Sequence, residues 1–122
     1  GIIRDEEGMG TGLVELEQIR GRSNDLAVGE IGSRSFEFAL DLGFALTVAE
    51  AILRGALERT ESRGAHYRSD HTEKTPDWRR NVVVERDSVG AMGLTSTPVG
   101  SPSAPVRDAL DAGHELDYHQ LE

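Results

Sequence analysis

Residues 61–70 read ESRGAHYRSD, and this stretch holds most of the side chains here that could do chemistry: two arginines, a histidine, two serines and two acids around one glycine. Ser62, His66 and Asp70 have the residue types of a hydrolase triad, in which serine attacks, histidine takes its proton and aspartate orients the imidazole. On a continuous helix they would fall at i, i+4 and i+8, too far apart to hydrogen-bond in sequence, and no nucleophile elbow surrounds Ser62. His66 and His71 offer metal-binding nitrogens on either side of Asp70, but an i,i+5 spacing does not align two imidazoles on one helix face and no third ligand stands nearby. His114 and His119 repeat that spacing near the C-terminus. GMGTG at 8–12 superficially looks like a phosphate-binding loop. Such loops follow a strand and open a helix, whereas these glycines follow RDEE and lie inside a helical pattern. None of these patterns makes a strong catalytic, phosphate-binding or metal-binding site. What the chemistry of 61–70 supports is a polar junction. Arg63 and Arg68 can grip carboxylates or carbonyls with two hydrogen bonds each. Gly64 can take positive φ and end the preceding helix as its C′ residue. His66 can donate from one ring nitrogen and accept at the other. Such a cluster would latch a helix end onto a neighbouring domain; the competing reading is a solvated, charged helix terminus.

The elements around the cluster follow from pattern and punctuation. Residues 5–22 read as a helix, with Asp5 as N-cap, Glu6 and Glu7 in the first turn, and Met9, Leu13 and Leu16 on one stripe ahead of Arg20. Gly8, Gly10 and Gly12 weaken it, each by about 1 kcal/mol relative to alanine, so it needs a neighbour to stand. A polar connection leads to a second helix, about Ser35–Glu61, with Ser35 as N-cap and Glu37 in its opening turn. Phe38, Leu42, Ala45, Ala49, Ile52 and Ala56 mark one face, and Phe36, Leu40, Phe44, Val48 and Leu57 spread apolar surface beyond it. A helix this apolar is buried on more than one side, and one short partner helix cannot cover it all. Gly43 and Gly55 permit close approach of another backbone. Beyond it, Val82–Val84 and Met92–Thr97 read as two strands around the turn signal DSVG. SPSAP reads as extended, a short helix is expected at about Val106–Ala112 stopping at Gly113, and the tail HELDYHQLE would be ordered only against a partner.

Composition sets the outer limits. A chain of 122 residues makes about one domain. Without cysteine there is no disulfide framework, thiolate zinc site or cysteine nucleophile. The uncharged run Leu42–Ala49 falls far short of the roughly 20 apolar residues a membrane helix needs. A net charge of −9 repels phosphates and argues against nucleic acid as partner. Lys74 is the one lysine among 13 basic residues. Acid enrichment with lysine nearly absent points to a salt-rich cytoplasm, where a Debye length of roughly 3 Å near 1 M silences the self-repulsion.

The same residues also resemble a known family. The long helix ending in Ser62-Arg63-Gly64-x-His66-x-Arg68-x-Asp70 is similar to the signature in the C-terminal helical domain of the succinate dehydrogenase/fumarate reductase flavoproteins, whose relatives include L-aspartate oxidase. VAEAILRGALERTESRG and GIIRDEEGM resemble the segments before that signature. DWRRNVVV resembles the segment after it, which puts Trp78 on the chain returning to the body of the enzyme. Asp70-His71-Thr72 departs from the family's Asp-aromatic-Pro.

The resemblance implies a mainly α fold: a three-helix-bundle (spectrin-repeat-like) domain over 1–75 that lacks its first helix in this piece. A strand-containing extension over 76–122 would follow, with a short β-hairpin-like segment and an irregular tail, packing on the rest of the subunit. The chain would be the non-catalytic C-terminal fragment of a subunit that binds FAD, interconverts succinate and fumarate, and passes electrons to an iron–sulfur subunit. That subunit would lie in the cytoplasm, peripheral on the inner face of the plasma membrane through partner subunits. The family's catalytic arginine, substrate histidines, flavin-attachment histidine and FAD loop have no counterpart among these residues. No cofactor is expected in the fragment itself, which would be inactive and self-associate through its second helix. Ser62, Arg63, Gly64, His66, Arg68, Asp70 and Trp78 would form the docking latch. The length after Asn81 favours succinate dehydrogenase over L-aspartate oxidase. A free-standing helical interaction module and a small independent enzyme using the 62–70 cluster are the alternatives from other classes.

Overall fold

The structure is a computed structural model and describes residues 3–113. Its elements, in order, are β1 (Ile3–Arg4), α1 (Glu6–Ser23), α2 (Arg34–Glu58), β2 (Tyr67–Arg68), a 3₁₀ turn (Pro76–Trp78), β3 (Arg80–Arg86), β4 (Met92–Pro98) and α3 (Ala104–Asp111). The architecture is mainly α, with three helices and one antiparallel strand pair.

α1 forms as its sequence dictates. The Asp5 carboxylate accepts from the Gly8 N–H at 2.7 Å, and Glu6 and Glu7 occupy the first turn, where the helix dipole favours negative charge. Its stripe packs on α2, burying Met9, Leu16 and Leu46. Gly12 is a close approach: a Cβ there would sit 3.4 Å from Leu53 Cδ1. Beside this small core, Glu50 accepts from Arg20 Nη2 on α1 and from Arg54 Nε on α2, both at 2.7 Å. Burial alone would push the Glu50 carboxyl up; the two guanidinium bonds outweigh it and leave it below its ordinary value.

α2 departs from expectation in three places. Its N-cap is Ser33, whose Oγ accepts from the Phe36 N–H at 3.3 Å. Ser35, the expected cap, instead turns its Oγ toward Gly29 N–H at 3.1 Å and so ties down the incoming loop. The helix stops at Glu58, short of Glu61, because a side chain bonds its last carbonyls in place of a further turn, as described below. The third difference is in packing: α1 covers the side carrying Leu46, Glu50 and Leu53, while Phe38 (68%), Phe44 (66%), Val48 (57%) and Ile52 (57%) stay exposed. Leu42 and Ala49 are both half-buried.

β3 and β4 pair in continuous register from Arg80↔Pro98 to Arg86↔Met92. Asp87 closes their turn, its Oδ1 accepting from Val89 N–H (3.0 Å) and Ala91 N–H (2.8 Å), with Gly90 at φ +86. Both strands run longer than their β-branched cores suggested. α3 begins two residues before Val106, since Pro105 fits a first helical turn, and Gly113 follows it at φ +70. The tail from His114, with His119, lies outside the described residues. No described helix is long and apolar enough to cross a membrane.

Candidate functional site

The segment after α2 is extended, and this changes which of its side chains meet. Arg59, Glu61 and Arg63 alternate with Thr60 and Ser62, so in extended chain the three charged residues share one side. Glu61 is fully buried, at 0% exposure. Its Oε1 accepts from Arg59 Nη1 (2.6 Å) and Arg63 Nε (2.7 Å), and its Oε2 from Arg63 Nη2 and the Thr75 N–H (both 3.0 Å). The Arg63 bond, with help from Thr75 and Arg59, overcomes burial and lowers the Glu61 carboxyl to about 2.

Arg68 is the second buried charge, at 1% exposure. Its Nε and Nη2 hold Asp70 as a fork, each at 2.6 Å, while Nη1 donates to the carbonyls of Ala56 (3.2 Å), Leu57 (3.1 Å) and Arg59 (3.5 Å). These are the orphan acceptors of a helix C-terminus, so Arg68 caps α2, and Gly64 is not its C′ residue. Gly64 instead takes φ +58 in the tight turn closed by Arg63 and His66, which exchange backbone bonds of 2.8 and 3.0 Å. Asp70 also accepts from the Glu6 N–H at 2.8 Å, placing a carboxylate on the N-terminus of α1. Arg68 above all, then Glu6, hold the Asp70 carboxyl well below its ordinary value. One arginine–aspartate pair thus ties the end of α2 to the start of α1. The parallel pairing of β1 with β2, Ile3↔Tyr67 and Arg4↔Arg68, reinforces the tie.

The remaining members serve the same clasp. Ser62 Oγ accepts from the Arg68 N–H and donates to the His71 carbonyl, both at 2.8 Å. His66 Nε2 lies 3.2 Å from the Arg59 carbonyl and Nδ1 3.5 Å from Arg4 Nη1. Since a carbonyl only accepts and a guanidinium only donates, this pairing assigns the proton to Nε2. The Ser62 hydroxyl therefore faces backbone, Asp70 faces Arg68 and His66 faces Arg59: the three triad types are brought into one cluster without bonding one another. His71 closes a turn through its N–H to the Arg68 carbonyl at 3.2 Å, so Asp70-His71-Thr72 turns without the family's proline. Among the described residues, no three His, Cys, Asp or Glu side chains are grouped to hold a metal ion.

Trp78 extends the cluster to the returning segment. Its Nε1 donates to Thr60 Oγ1 at 2.9 Å, and Arg59 and Arg80 lie over its ring at 5.1 and 5.8 Å. Arg59 also donates to the carbonyls of Trp78 (3.0 Å) and Arg80 (2.7 Å). Sequence reasoning missed Arg59, Glu61, Thr75 and Arg4. The base–acid–base alternation at 59, 61 and 63 was the available signal, hidden by extending the helix through it.

With this geometry in hand, comparison with known proteins decides the family. The family model described as the fumarate reductase flavoprotein C-terminus matches residues 1–107. The chain belongs to this family. A fumarate reductase (CoM/CoB) chain of Methanothermobacter marburgensis is 33% identical over 87 residues, which cover 70% of this chain and 16% of that protein. A quinol fumarate reductase chain of E. coli superposes with a TM-score of 0.76 at 28% identity, over 86% of this chain and 19% of that one. Mycobacterium smegmatis Sdh1 does so at 0.71 and 30% identity, over 98% of this chain and 20% of that one. L-aspartate oxidases are more distant relatives. The chain spans about a fifth or less of the proteins it resembles.

Proposed function

We propose that the chain is the non-catalytic C-terminal part of a FAD-dependent succinate dehydrogenase/fumarate reductase flavoprotein subunit, and that its clasp braces the helix pair against the rest of that subunit. The observation that carries this reading is the saturation of the clasp. Ser62, His66 and Asp70, the side chains with the types to attack, carry a proton or orient a base, are all engaged in holding α1, α2 and the intervening turn together. In the whole subunit FAD would be bound elsewhere, electrons would pass to an iron–sulfur subunit, and the assembly would sit peripherally on the inner face of the membrane. The helical unit over 1–75 and the strand-containing part from 76 onward would act as brace and attachment. Ser62, Arg63, Gly64, His66, Arg68, Asp70 and Trp78 would be the latch, with Arg59 and Glu61 added to it.

The test is the coding sequence upstream of Gly1. A glycine-rich dinucleotide fingerprint a few hundred codons earlier supports the proposal; a gene that starts near Gly1 overturns it in favour of a free-standing interaction module. Expressed alone, the chain is expected to retain no flavin and to reduce no dye with succinate.

A further inference from the structure

Outside the buried Glu61, the chain has a recess of about 380 Å3 bounded by Arg63, Lys74, Thr75, Pro76 and Arg79. Three cations around one recess stand out where the whole chain carries −9. Arg63 is held in place through Nε and Nη2 on Glu61, and Nη2 also reaches the Thr75 carbonyl at 3.0 Å, which leaves its Nη1 edge uncommitted among the described residues. Lys74 and Arg79 are exposed, and neither side chain makes an ion pair or hydrogen bond with a described residue. Glu73 and Asp77, next to them in sequence, do not line the recess. Thr75 and Pro76 complete the lining, whose surface is more apolar than polar, a surround that strengthens the pull on an anion. The recess is roomier than an inorganic ion requires, and its lining includes no aromatic ring to stack a base, since Trp78 is engaged by Arg59, Arg80 and Thr60. A carboxylate on an apolar stem matches both halves of the lining.

We propose that the Arg63–Lys74–Arg79 recess binds the glutamate or aspartate side chain of an acidic protein segment. This goes beyond the bracing role above and stands without it. The test is an NMR titration of the isotope-labelled chain in low-salt buffer with three probes: the blocked peptide acetyl-Leu-Glu-Glu-Leu-amide, its glutamine counterpart and inorganic phosphate. The glutamate peptide is expected to shift the amides of Thr75 and Asp77 to Arg80. Its affinity should fall by about tenfold or more with the glutamine peptide or with Lys74→Gln/Arg79→Gln. Both replaced side chains lie outside the Glu61 and Asp70 bonds, so the double variant should keep its melting temperature. Equal binding of the glutamine peptide, binding unchanged in the double variant, or a response to phosphate alone overturns the proposal.

Discussion

At the residue scale, two buried charges carry the clasp, and they make separate predictions. Arg68→Ala would leave Asp70 and the carbonyls of Ala56 and Leu57 without their shared donor, so its urea midpoint should fall well below that of the parent. Arg68→Lys keeps the charge and loses the fork, so its urea midpoint should fall between those of the parent and Arg68→Ala. Glu61 gives a pH dependence with a definite sign. Its folded value of about 2 lies below the ordinary 4.5, so its contribution is complete above the unfolded value and is lost as pH falls from there through the folded one. Urea midpoints measured from pH 5 down to pH 2 should drop, and Glu61→Gln should start lower and drop less. In the full-length subunit proposed above, Arg63→Ala should lower assembled activity, and unchanged assembly with an unchanged melting temperature would remove Arg63 from the proposed latch. Much of this cluster was legible: Ser62, Arg63, His66, Arg68 and Asp70 are all where the motif points. Glu61 was not, because its importance comes from burial between two arginines, which depends on where the helix ends.

At the scale of elements, the glycines of α1 separate by what surrounds them. A Cβ on Gly10 meets nothing within 4 Å, whereas one on Gly8 would lie 3.0 Å from Asp5 Oδ1. Gly10→Ala should therefore stabilise by about 0.5–1 kcal/mol through helix propensity. Gly8→Ala should lose that gain to disturbance of the cap, as a pair of thermal melts would record. The Asp5 cap and the Asp87–Gly90 turn, set by local chemistry, could be read from the sequence, whereas Pro105, expected in extended chain, lies in the first turn of α3. The C-terminus of α2 could not, because the donor that satisfies its carbonyls comes from nine to twelve residues further on. The buried face of α2 was equally hidden. Apolar residues surround the helix, so periodicity alone does not say which side α1 takes, and the leftover side with Phe44 and Val48 has the same composition as the covered one.

At the scale of the whole molecule, charge and exposed apolar surface pull in opposite directions. Molar KCl should raise the helicity and melting temperature of this acidic chain, as circular dichroism in dilute and salted buffer would measure; no gain would count against adaptation to a salty cytoplasm. The same salt strengthens apolar association, so light scattering should detect dimers through the open side of α2, and Val48→Asp should return a monomer. The pairing of Ile3 with Tyr67, fastened by Asp70 on Glu6, has one more outcome. Chain entering at β1 and leaving beyond β2 passes through neighbouring strands about 4.8 Å apart, so these strands form a stem at the base of the two long helices, beside the Arg59 bonds that tie the end of α2 to Trp78 and Arg80. Tension applied across that stem would shear or unzip a few hydrogen bonds before it stretched either helix, and a circular permutant opened in the loop at residues 24–32 should keep the stem whole.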